Sequence, residues 1–469
     1  MSPSHIARRS TISVAALIGA FALLFSGVAP VQAAPGPANI DQTRTGSITI
    51  HKFAETETDG AEHQGQELAP SMTAGLSPLE GVQFTISRFD GIDLRTAEGW
   101  AAMEGITVDS DRAKTVVDTV KTDASGIGSK SGLPLGLYLV EETGFGDNDV
   151  VHPTAPFLVS VPTAGVSGDW LYDVHAYPKN SVVSLDMVAD DSRAFGMNGT
   201  GTIDWKVTTS IPYLPANQSL NTYSITLNLT DHLTTPTPND VTLRVGGMEI
   251  PRGQYSVNAS NGMLTVAPPE GATGLDAYQG QPVELTVATK MTANEDQKGI
   301  VGAQATVQVN DAETRPAAAE SDWGAVRVIM NDAEDAPLSG ATFELRRTQD
   351  GDPIEVDGRT SFTTQDNGEL MIPGIRVGER YYLVQTGAPA GYTPAQARNF
   401  EVVAADTNTV GGDSTHPNVV TFNNEQVSGF ALPITGSFGS LPFLLAGLLL
   451  VATALLVNRS RRRRLARAV

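Results

Sequence analysis

LYLVEET (residues 137–143) and YYLVQT (381–386) read as one buried strand written twice. Each mixes aromatic and aliphatic residues in a short run, as a sheet strand does. Each follows a polar turn, TDASG (122–126) in the first copy and TQDNG (364–368) in the second. Working outward, LEG (79–81) with Phe84 matches LSG (338–340) with Phe343, and both copies open on an alternating strand, one from Gly46 and one from Gly324. The result is an internal repeat whose copies are separated by a different stretch of chain. That stretch and its flanks carry the same signal: SITI (47–50), VQFTIS (82–87), YSITLNL (223–229), VELTVA (283–288), AVRVIM (325–330) and TFELR (342–346), punctuated by Gly, Pro, Asn and Asp. Between the two ends no long 3.6-residue period occurs, so the chain reads as all-β, of sandwich type.

Composition places the boundaries. DAETRPAAAESD (311–322) is polar, alanine-rich and contains Pro316, and reads as a linker. The turn Pro178-Lys179-Asn180 precedes a new β run from Ser181. Three tandem domains follow, 41–180, 181–311 and 323–427, with 312–322 between the last two.

The ends are of another kind. Arg8 and Arg9 precede an apolar run over 12–29 and then Val31-Gln32-Ala33, the pattern of a cleaved signal peptide covering 1–33. At the other end LPITG (Leu432, Pro433, Ile434, Thr435, Gly436) precedes an apolar stretch over 438–457 and a tail over 458–469 containing six arginines. About 20 apolar residues just span a bilayer core, and the arginines belong on its cytoplasmic side. A membrane anchor needs no LPITG. The order of motif, span and basic tail is that of a sortase sorting signal, cut between Thr435 and Gly436.

Of 31 Lys and Arg, the two removable ends hold eight, leaving 23 against 52 Asp and Glu, a net of −29. Such a surface repels phosphate backbones, so nucleic acid is excluded as a partner. The exported chain has no cysteine, so any cross-link is of another chemistry.

Together these residues carry a family resemblance. LYLVEET and YYLVQTGAPAGY resemble the E-box, YxLxETxAPxGY, of the immunoglobulin-like pilin domains of Gram-positive bacteria. Trp170, Val174, Tyr177, Pro178 and Lys179 match the pilin motif WxxxVxVYPK, with Ala176 at its second valine. The chain resembles a major shaft pilin of the SpaA type over nearly its whole length. The resemblance implies that a class C sortase holds the pilin as a thioester through Thr435, and that Lys179 of the next subunit resolves it. One donor end and one acceptor side per subunit generate an open filament. Implied partners are that pilin-specific sortase, a housekeeping sortase, identical and minor pilin subunits, and peptidoglycan. No host receptor is identified, and no cofactor or metal is implied.

Pilins of this type also form intramolecular Lys–Asn bonds assisted by a buried acid. In the first domain the resemblance puts these roles on Lys52, Asn180 and Glu142. The residues leave an alternative open, a strand-edge Lys52–Glu142 ion pair worth under ~1 kcal/mol. Counting from the opening glycine, Lys52 corresponds to Met330 and Glu142 to Gln385, with Asn423 or Asn424 at the end. No lysine follows Lys298, so the third domain forms no such bond. The middle domain resembles a fimbrial D2 module with its acid at Asp231. Its lysine position falls on Asp186 or Met187 and its asparagine on Ala303, so no bond is expected there either.

An enzyme is not indicated. The seven histidines show no HExxH spacing, and GxSxG is absent. Asp123-Ala124-Ser125 starts like a metal-adhesion motif, but Ile127 replaces its second serine, and a turn is expected. The competing reading is a monomeric wall-anchored adhesin or a minor or base pilin, for which Lys179 would go unused.

Overall fold

The computed structural model describes residues 39–57, 63–268, 275–292, 299–402, 418–427 and 441–465. The signal peptide, LPITG and Lys298 lie outside the described residues. The regular secondary structure is almost entirely β-sheet, apart from short turns of helix such as Ala97–Met103 and one long C-terminal helix.

In the first domain a three-stranded sheet packs over a four-stranded one. The first has Gly46–His51 between Asp173–Ala176, which runs parallel to it, and Ile127–Leu133, which runs antiparallel. The second has the order Lys114–Lys121, Gln83–Phe89, Gly136–Gly144, Phe157–Val161. Alternate residues of both sheets, including Ile48, Ile50, Phe84, Ile86, Tyr138 and Val140, are buried between them. The last strand, Lys179–Val182, pairs in parallel with Phe53–Ala54 and antiparallel with Val150–His152.

The third domain repeats this pairing. Its opening strand runs parallel to its closing strand, Val419–Asn424, and Thr342–Arg346 pairs antiparallel with Arg380–Gly387. The two polar turns have one purpose. Gly126 and Gly368 both have positive φ, at 74° and 73°, and a Cβ there would lie 2.4 Å from the Lys52 carbonyl oxygen and 2.6 Å from that of Met330. Only glycine lets the turn approach the opening strand so closely. Asp123 closes its turn by accepting from the amides of Ser125 and Ile127.

Residues 312–322 are not a linker. Ala317–Asp332 is a single strand of 16 residues whose first part pairs with Ile300–Val309 of the middle domain and whose second part opens the third. Alanine and acidic residues have low strand propensity, which hid it, and Pro316 sits just ahead of the strand, where no ladder donor is lost. The middle and third domains consequently share one hydrophobic core, running from Val183 to Phe422. Arg376 pairs with Asp191 across their junction at 3.0 Å. The first domain is tied to the middle one by Arg315, whose Nε lies 3.1 Å from Asp149.

The C-terminal helix, Leu441–Leu465, contains an 18-residue window, Phe443–Ser460, of mean hydropathy 1.8 whose residues are not buried in the fold. By length and composition it can cross a membrane.

Candidate functional site: two lysines on one strand pair

Lys52 and Lys179 lie at the same end of the first domain because Phe53–Ala54 and Lys179–Val182 run parallel, with Lys179 opposite Phe53 and Asn180 opposite Ala54. Successive residues of a strand point to opposite faces. Asn180 therefore turns into the domain and Lys179 turns out of it.

Inward, Lys52 is 0% exposed and Glu142 1%. Lys52 Nζ donates to Asn180 Oδ1 at 2.5 Å, to Thr154 Oγ1 at 2.7 Å and to Glu142 Oε2 at 3.1 Å. These are the three donors of an ammonium, all satisfied. Asn180 Nδ2 donates to Glu142 Oε1 at 2.5 Å, and Asn180 Oδ1 also accepts from the Thr154 amide at 2.7 Å. Burial, opposed by Glu142, brings the Lys52 amine down to about 8. The Lys52–Glu142 ion pair is present, and it is buried inside the domain. Glu142 bridges the two nitrogens, and the Asn180 carbonyl accepts from the Thr154 amide and from Lys52. Thr154 carries no motif and was invisible in the sequence.

Outward, Lys179 is the first residue of a strand and not part of a turn ahead of it, and its side chain is 12% exposed. Its Nζ lies 3.1 Å from Glu55 Oε1, a carboxylate 18% exposed, and donates to Thr56 Oγ1 at 3.3 Å. Both open onto a cavity of about 780 Å³ whose titratable lining groups are Glu55, His63, His152, His175, Tyr177 and Lys179. Behind Tyr177 lies a stack: His51 is parallel to its ring at 4.5 Å, His63 meets it edge-on at 4.9 Å, and His51 Nε2 is 2.9 Å from His175 Nδ1. Burial, then repulsion from His175, lowers the His51 pKa, and burial lowers that of His63. The Tyr177 hydroxyl accepts from the Leu68 amide at 2.8 Å. Val174 is buried beside Ile48, while Trp170 packs on Trp100 at 5.2 Å. The Pro178 carbonyl accepts from Phe53, fixing the approach to Lys179.

The third domain keeps the framework without the chemistry. Glu142 stands opposite Phe84, and Gln385 opposite Phe343. The Lys52 amide donates to Gly126 and that of Met330 to Gly368. The asparagine two residues on is Asn424, paired with Asp332; Asn423 is exposed and takes the place of Lys179. Met330 and Gln385 are buried, and Gln385 accepts from the Ala395 amide at 2.8 Å. Asn424 is buried with no partner for Oδ1 or Nδ2 among the described residues.

In the middle domain Met187 and Ala303 are buried. Asp231 is exposed, because the strand ends at Leu229 and the chain turns through His232, whose φ is 75°. It is no buried acid.

Residues 43–181 match the family model of the Gram-positive pilin subunit D1, N-terminal domain, and residues 324–415 the SpaA prealbumin-like fold domain. The chain is 29% identical to fimbrial subunit type 2 of Actinomyces naeslundii, over 96% of each chain, and 26% identical to fimbrial subunit type 1 of Actinomyces viscosus, over 97% of each. Among solved structures it is similar to the full-length major pilin SpaD of Corynebacterium diphtheriae, at 25% identity and a TM-score of 0.64, over 84% of this chain and 100% of that one.

Proposed function

The chain is a Gram-positive pilin of the SpaA type, a structural subunit of a fimbrial shaft, and from that premise we propose that Lys179 is the amine through which its subunits are joined. The observation that carries this is the placement of Lys179: the pilin motif ends on an amine held at a cavity, against a carboxylate, at the junction of two domains. A pilin-specific sortase cleaves LPITG after Thr435 and carries the subunit as a thioester. The Lys179 amine of the next subunit attacks the thioester carbonyl, the carbon–nitrogen bond forms and the thiolate leaves. Repetition builds the shaft, minor pilins join by the same chemistry, and a housekeeping sortase transfers the base to peptidoglycan. The C-terminal helix holds the precursor at the membrane until cleavage.

Lys52 and Asn180 form a second, internal amide. Glu142 accepts a proton from Lys52 through Oε2. The neutral amine attacks Asn180 Cγ while the Thr154 amide stabilises the charge gathering on Oδ1. Glu142 delivers a proton to Nδ2 through Oε1, and the departing ammonia takes the surplus proton of the new amide nitrogen and leaves as ammonium. This bond closes the first domain over the strand that bears Lys179.

The test is an immunoblot of wall extracts from the native host, wild type against Lys179→Ala. A high-mass ladder that collapses to monomer in the variant is expected. A single wall-linked band in both strains would refute polymerisation and leave a monomeric adhesin.

A further inference from the structure

An amine attacks a thioester only after losing its proton, and at neutral pH a lysine amine is overwhelmingly an ammonium. With its side chain 12% exposed, Lys179 meets little water to take that proton, and less once a sortase covers the cavity. Among the described residues, Glu55 Oε1 lies 3.1 Å from Nζ and is a carboxylate in contact with it. Its placement is enforced: Glu55 lies just beyond Phe53–Ala54, and its amide donates to the Asn180 carbonyl at 2.8 Å, locking it beside the strand that carries Lys179. The other titratable groups facing the cavity are His63, His152, His175 and Tyr177. His63 meets the Tyr177 ring edge-on and His175 shares a hydrogen bond with His51, which lies behind them, while His152 lines the cavity on the neighbouring strand.

We propose that Glu55 is the general base of the polymerisation step, taking the proton of the Lys179 ammonium as the acyl-sortase docks. In the free subunit the carboxylate holds the ammonium as an ion pair. Docking expels water from the cavity, and in the less polar site the pair relaxes to neutral amine and carboxylic acid. The amine lone pair attacks the thioester carbonyl and the thiolate departs. The new amide nitrogen gives its surplus proton to that thiolate, and Glu55 returns the first proton to water. The net change is thioester plus ammonium to amide, thiol and one proton. Glu55 is three residues past Lys52, so one segment of chain supplies the nucleophile of the internal bond and the base of the external one.

The inference rests on Lys179 being the acceptor, and the experiment separates the two. The mature chain serves as acceptor, and an LPITG peptide is presented by a class C sortase. Transfer to Lys179 is located by peptide mapping and its rate followed against pH. Glu55→Gln keeps the shape and a polar contact but not the base. Its rate near neutral pH is expected to fall about a hundredfold and to climb back as hydroxide replaces the lost base at high pH. Glu55→Asp, which keeps a carboxylate, is expected to retain the wild-type pH profile at a lower rate. A Glu55→Gln rate equal to wild type, or one depressed by the same factor at every pH, overturns the role of Glu55 as base while leaving Lys179 as acceptor. A wild-type chain that takes no peptide at Lys179 overturns both.

Discussion

Replacing Glu142 by glutamine removes the relay between Lys52 and Asn180 while preserving the volume of a buried site. Two consequences follow. The internal amide does not form, so the intact mass of the variant exceeds that expected from the substitution by one ammonia. The cross-link is also lost from the unfolded state. Lys52 and Asn180 are 128 residues apart, and the chain-entropy model gives about 5 kcal/mol for closing a loop of that size. At roughly 3–4 °C per kcal/mol for a domain of this length, the calorimetric transition of the first domain falls by about 15–20 °C. An uncross-linked Lys52 without its carboxylate is a buried, unpaired base, so the change is a destabilisation from either side. The assays are intact-protein mass spectrometry and differential scanning calorimetry on the mature chain. Wild type that retains the ammonia, or a Glu142→Gln variant that loses it, would refute the assignment.

Two other outcomes are expected. The internal reaction needs one proton shared by the Lys52–Glu142 pair, whichever member holds it. The Lys52 amine is lowered from 10.5 to about 8, so newly folded protein should form the bond more slowly as pH rises from neutral through about 8, where the pair loses that proton; a rate that rises through this range in a mass-spectrometric time course would contradict the relay. In the third domain, Met330→Lys together with Gln385→Glu rebuilds the set around Asn424, whose side chain has no partner among the described residues, and the double variant should lose a second ammonia and melt higher. Absence of that loss in a folded double variant would show that Asn424 is not placed for attack.

Much of this was legible in the chain itself. The E-box copies fixed the strands carrying Glu142 and Gln385, and the alternation of SITI and AVRVIM fixed the opening strands, because a half-buried strand must alternate whatever surrounds it. Lys52, Glu142 and Asn180 were each nameable; what the sequence lacked was depth, since an exposed and a buried ion pair are spelled alike. Thr154 and Glu55 were missed for the opposite reason. Each is an ordinary residue whose role comes from a partner across the sheet. The choice between Asn423 and Asn424 turned on one register step, which exchanges the inner and outer faces of a strand. Residues 312–322 misled because alanines that pack against a neighbouring sheet look, in isolation, like spacer.

The parallel closure of the third domain bears on how the shaft takes load. In a fibre joined at Lys179 and Thr435, tension runs through the chain from 180 to 435, and residues 39–178 hang beside that path. The chain has no cysteine, and the third domain has no lysine, so nothing covalent shortens the path there. The opening strand is pulled toward its start and Val419–Asn424 toward its end, and the two lie side by side with Arg327 opposite Val419 and Asp332 opposite Asn424. Pulled that way they must slide past each other and break their rungs together, where an antiparallel hairpin would unzip one rung at a time. The last domain resists stretching by geometry where a cross-linked one resists by chemistry. Once its strands slip it can lengthen and then refold, and the shaft yields under a sudden pull without parting.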